Sequence, residues 1–213
     1  MLEQRGIGDQ VVNGSRTQQD SVSYLPDSTQ LDKGAHLIHD MASRVDAEAF
    51  KGLVSFWLTK GTNLVLGGFL TEACVSNVTD TLGSLPDDLV SRNQLARSFF
   101  KNSSRRHVFS RTTTLASYVE DVSQTNIRWE ALIIALVALG RASIDVPHYP
   151  GLYTTQAEQD VFQKLVTSLS DSCLELALSC DRMDELLLIC QYENWILHSV
   201  IDGDQSELTF GSL

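Results

Sequence analysis

The chain has 213 residues, 43% of them hydrophobic, which is enough apolar material for one sizeable core. Its net charge of −11 and pI near 4.7 oppose sequence-independent binding to nucleic acid, which depends on Lys and Arg neutralising phosphates, and oppose adsorption to anionic lipid. The reading is a globular protein that works neither on the phosphate backbone nor at a charged membrane surface.

Residues 1–34 are rich in Gln, Ser, Asp and Gly and show no sustained hydrophobic period, so they read as a flexible polar leader. They contain no apolar run of the kind a secretory signal needs, and an intracellular protein is expected. A helical domain is predicted over 35–206, with a short tail at 207–213. In "DAEAFKGLVSFWLTK", Asp46 is the expected N-cap, and Phe50, Leu53, Val54, Trp57 and Leu58 mark one buried face. "FLTEACVSNVTDTLG" is a weaker helix, because Val and Thr lower its propensity. In "GSLPDDLVSRNQLARSFFKN", Pro86, Asp87 and Asp88 open an amphipathic helix with Leu89, Leu95, Ala96, Phe99 and Phe100 on a shared side. A polar connector leads to a short helix around Leu115, Tyr118 and Val119.

The most apolar stretch follows, "RWEALIIALVALGRAS". Between Glu130 and Arg141 no residue carries a charge or a side-chain hydrogen-bonding group. The apolar stretch covers about 15 Å, half of a hydrocarbon core, so it predicts a central buried helix and not a membrane span. "DVPHYPGLYTT" is a loop. Thr155 with Glu158 predicts a capping box for a long helix whose apolar side holds Val161, Leu165, Leu169, Cys173, Leu176 and Cys180. Asp181 is the expected cap of a last helix through Ile201. No alternating strand pattern of useful length occurs, so the fold class is all-α: antiparallel helix pairs around a buried central helix.

Chemistry-bearing residues are few. His36 and His39 stand at i and i+3 beside Asp40, a spacing that could bridge a metal, but no third ligand follows at a telling distance and a solvated or capping role is expected. His107, His148 and His198 are isolated and read as structural. Cys74, Cys173, Cys180 and Cys190 form no CxxC and lie in apolar helical surroundings, as buried reduced thiols do. Gly6, Gly8 and Gly14 lack the strand and helix that a phosphate loop requires. Arg105, Arg106 and Arg111 are a lone basic cluster in an acidic chain. No catalytic residue, cofactor site or metal site is nominated, and a non-enzymatic role is expected.

Several segments in order resemble the fungal-specific transcription factor domain, the all-helical middle homology region of fungal zinc binuclear cluster regulators. They are "DDLVSRNQLARSFF", "SRRHVFSRTTTLASYVED", "RWEALIIALVALGRAS", "AEQDVFQKLVTSLSDSCLELAL" and "MDELLLICQYENWILHSVIDGDQS", together covering about 84–206. The resemblance implies a role in transcription regulation, in the nucleus, through helix-mediated protein contacts or effector sensing. The six-cysteine zinc cluster of those regulators is absent, so no direct DNA reading is expected from this chain. The family continues past "DGDQS" into further helices, so this chain reads as a C-terminally shortened version. A helical protein–protein adaptor unrelated to transcription is the alternative.

The last helix carries more apolar residues than one neighbour can cover. An exposed side is therefore expected there, with Leu188, Trp195 and Ile196 as the candidate interaction surface for a protein partner or a second copy.

Overall fold

The computed structural model of the chain describes residues 25–61, 67–105 and 111–203. These residues are all-α, with no strand among them. In chain order they form α1 (Ser28–Arg44), α2 (Ala47–Leu58), α3 (Gly68–Gly83), α4 (Leu89–Ser103) and the short α5 (Leu115–Glu120), which runs into a π-helical turn at Asp121–Thr125. The second half holds α6 (Trp129–Asp145), α7 (Gln156–Leu178) and α8 (Glu185–Ile201).

Side-chain caps start most of these helices. Asp46 accepts from Ala49 N at 2.7 Å, Asp88 from Ser91 N at 2.8 Å and Asp184 from Leu187 N at 3.0 Å. Asp27 with Gln30 and Thr155 with Glu158 form full capping boxes. Each such cap satisfies an otherwise unpaired N–H and contributes about 1 kcal/mol. Part of the chain's acidity therefore belongs to helix starts.

Four expectations are corrected. The polar composition placed the start of order near Ala35, but α1 begins at Ser28; the Asp27–Gln30 box starts it, and its buried face holds Leu37, Ile38 and Met41. Residues 1–24 and the tail at 207–213 lie outside the described residues. In α4 the aspartates do not sit in the first turn: Asp88 is the N-cap, which turns Leu89 outward to 57% exposure. Val161 is likewise exposed, and Phe162 takes the core position beside it. Finally, α8 is capped by Asp184 and not Asp181, which adopts a left-handed φ of 50° in the turn after α7.

The central helix is α6. Every residue from Trp129 to Gly140 is buried, Leu132, Ile133, Leu136 and Leu139 among them. α7, α3, α8, α2 and α4 all pack on it. Close approach is possible because α6 has small residues where neighbours arrive. A Cβ added at Gly140 would stand 2.7 Å from Leu197 Cδ1, so the α6–α8 contact depends on that glycine. The far end of α6 is tied by polar bonds: Trp57 Nε1 donates to Asp145 at 2.6 Å, the Gln159 side-chain amide donates to the Ser143 carbonyl, and Tyr153 Oη donates to the Val146 carbonyl at 2.8 Å.

An aspartate at position 136 would sit where the wild-type side chain is fully enclosed. Leu136→Asp is expected to cost several kcal/mol, comparable with the stability of a marginal domain. Circular dichroism against urea checks this; a cooperative transition at the wild-type midpoint would contradict the placement of α6.

Candidate interaction surface

α8 divides into two faces. Leu186, Leu187, Cys190, Glu193, Asn194 and Leu197 are buried against α6 and α7. On the other side Leu188, Tyr192 and Trp195, at i, i+4 and i+7, are 52%, 52% and 53% exposed. The Tyr192 and Trp195 rings stack with centroids 6.4 Å apart, and Val200 in the last turn of α8 is exposed as well. Of the three residues nominated from the sequence, Leu188 and Trp195 lie in the open stripe, and Ile196 is half-buried at its edge. Tyr192 was missed, although its spacing from Leu188 and Trp195 carried the signal. Beside the stripe, Ile189 and Glu193 of α8 and Thr71 of α3 border a small apolar pocket floored by Ile134 and Val137 of α6.

The N-terminal ends of α6 and α8 are locked by a buried charge cluster. Arg128 and Glu130 are almost fully enclosed, with Arg128 Nη2 at 3.4 Å from Glu130 Oε1 and 3.7 Å from Asp184 Oδ2. The same guanidinium nitrogen donates to the Ser103 carbonyl at 3.1 Å and the Arg105 carbonyl at 3.0 Å. Ser103 Oγ donates to Glu130 Oε2 at 2.6 Å and accepts from Trp129 N at 3.0 Å. Trp129 is set in place by the edges of Phe99 and Phe100, at 4.8 and 5.3 Å between centroids.

Burial pushes the Glu130 carboxyl above the usual carboxylate range, while the Arg128 charge and the Ser103 hydroxyl act against that push. Arg128 Nε, Trp129 Nε1 and Asp184 Oδ2 are buried without a hydrogen-bond partner. The cluster thus carries a desolvation cost that its ion pairs must offset. It was not foreseen, because its members come from three separated segments.

The remaining candidates do not converge. His36 lines a cleft between α1 and α7, whereas His39 Nδ1 faces Arg92 at 3.3 Å and Asp87 at 3.9 Å, so the two imidazoles are engaged in different directions. All four cysteines are free and buried, and burial holds the Cys74 and Cys180 thiols up at about 12, far from a reactive thiolate. Among the described residues there is no cluster of three or more metal-ligating side chains, and no helix is long and apolar enough to cross a membrane. The Arg105 carbonyl serves the buried cluster and Arg111 is exposed. Arg106, His107, Gly6, Gly8 and Gly14 lie outside the described residues. No protein-family model, no curated protein and no solved structure matches the chain.

Removing the cation from the buried cluster leaves two acidic groups facing each other in a desolvated site. Arg128→Met is expected to cost about 3–5 kcal/mol in urea denaturation, and the double variant Arg128→Met with Glu130→Gln should recover part of that loss. Equal stability of Arg128→Met and wild type would show that the cluster does not hold α6 and α8 together.

Proposed function

We propose that the protein is a non-catalytic helical module that acts by protein–protein contact through the outer side of α8. The observation that carries this reading is the stripe of Leu188, Tyr192 and Trp195, large apolar residues about half exposed on a helix whose opposite side is anchored in the core. Aromatic and aliphatic groups presented together on a rigid helix are the usual energetic centres of protein interfaces. Two aromatics one turn apart lose little conformational entropy on binding, since stacking already restrains them. The buried charged groups Arg128, Glu130 and Glu193 are taken up by ion pairs, which supports a binding module over an enzyme.

The order of helices over about 84–206 resembles the fungal-specific transcription factor domain, and on that ground the contact is proposed to serve transcription regulation in the nucleus. The partner is another protein or a second copy of this chain. With a net charge of −11, direct contact with nucleic acid is disfavoured.

A photo-crosslinking amino acid at position 195, compared with one at exposed Glu48 on α2, tests the reading in an extract of the cells that make the protein. The expected result is a discrete crosslinked species from position 195 only, lost on adding Leu188→Glu. Identical patterns from both positions would refute the assignment of the contact to α8.

A further inference from the structure

The C-terminal half of α8 is joined to α7 by a continuous polar chain. Ser170 Oγ donates to Asn194 Oδ1 at 2.6 Å, and Asn194 Nδ2 donates to Asp171 Oδ1 at 2.8 Å. His198 Nε2 then faces Asp171 Oδ1 at 2.9 Å and Oδ2 at 3.1 Å, while His198 Nδ1 faces Asp202 Oδ2 at 2.9 Å. Both ring nitrogens therefore meet a carboxylate. A neutral imidazole has one N–H and one lone pair, so one of these two contacts would set a lone pair against an anion; only the imidazolium donates to both. The ring also lies in the last turn of α8, where a cation offsets the negative end of the helix dipole.

Two charged groups face this ring: Asp171 from α7 and Asp202 from the end of α8 itself. α6, the other helix packed on α8, brings Gly140 against Leu197, and its Arg141 pairs with Glu193 at 2.9 Å. The ring is thus a clasp with one anion on each side.

We propose that protonated His198 is a pH-dependent latch that fastens the last turns of α8 to α7, and that its deprotonation loosens the part of α8 carrying Trp195 and Ile196. The consequence for partner contact rests on the reading of α8 as the contact face; the latch itself does not. Partial burial disfavours the charged ring, but the hydrogen bonds to Asp202 and Asp171 and their negative charge outweigh it, so the folded-state pKa lies above the ordinary 6.5. A group with a raised folded pKa contributes stability that is fully present below its unfolded value and is lost as pH rises through the folded one. The latch therefore closes in mildly acidic solution and opens toward alkaline pH.

The test uses the full chain, with His198→Gln and Asp171→Asn as variants. The His198 ring titration is followed by NMR, assigned by its absence in His198→Gln, and urea midpoints are compared at about pH 6 and about pH 8.5, on either side of the histidine range. The expected results are a His198 titration above 6.5, displaced downward in Asp171→Asn, and a wild-type midpoint that falls between the two pH values by more than that of His198→Gln. The other histidines are common to both proteins and cancel in the comparison. A His198 titration at or below 6.5, or a wild-type pH dependence no steeper than that of His198→Gln, overturns the latch. None of these readouts involves a partner, so their failure would leave the crosslinking result at position 195 untouched, and the reverse holds equally.

Discussion

A helix without a polar side has to be wrapped. From Ala131 to Gly140 α6 offers water nothing but hydrocarbon, and leaving that surface exposed would cost about 25 cal/mol for each Å². The rest of the described fold follows from enclosing it. α2, α3, α4, α7 and α8 each lay an apolar stripe along it, and the polar groups at its two ends are met by buried partners. At the N-terminal end these are Ser103, Arg128 and Glu130; at the other they are Trp57, Gln159 and Tyr153. A layer built around one such helix has an inside fixed by packing, and what varies is which faces the outer helices leave open.

That division separates the two kinds of polar and apolar exceptions in this molecule. The buried pair Arg128 and Glu130 has no open side, and together with the partly buried Asp184 it is explained by holding the starts of α6 and α8 in register. The exposed apolar groups of α8 are not explained by the internal packing at all, since its inner face already meets α6 and α7. An exposed stripe on an anchored helix is what distinguishes a presented surface from a badly packed one. The resemblance of the helix order to a fungal regulatory domain gives that surface a biological setting as a proposal, and the packing argument stands without it.

Most helices were legible because their signals are local. The apolar spacing of Phe50, Leu53, Val54 and Trp57 and the cap at Asp46 lie within one stretch, as do Thr155 and Glu158 ahead of α7. The start of α1 was missed because its capping box sits in a polar stretch whose composition masks it. The cap of α8 was misplaced by three residues because Asp181 and Asp184 offer the same chemistry, and only the left-handed turn at Asp181 decides between them. Leu89 and Val161 fit their helical periods, but the first turn of α4 is left open, with Val90 exposed as well, and in α7 the core position goes to the adjacent Phe162. For the candidate site, the surplus of apolar residues on α8 was visible, and so were Leu188 and Trp195. The tie between His198 and Asp171 was not, because it joins two helices through tertiary packing and neither residue has a distinctive local context.

The claim on which all of this turns is that α6 is the enclosed scaffold and α8 a helix anchored to it on one side only. Native-state hydrogen exchange, followed residue by residue with increasing denaturant, measures that difference directly. The account predicts that amides from Leu132 to Leu139 exchange only through global unfolding, with the full denaturant dependence, while those in the last turns of α8 open at lower free energy. Exchange of the α6 amides through local opening, at free energies equal to or below those of α8, would contradict it.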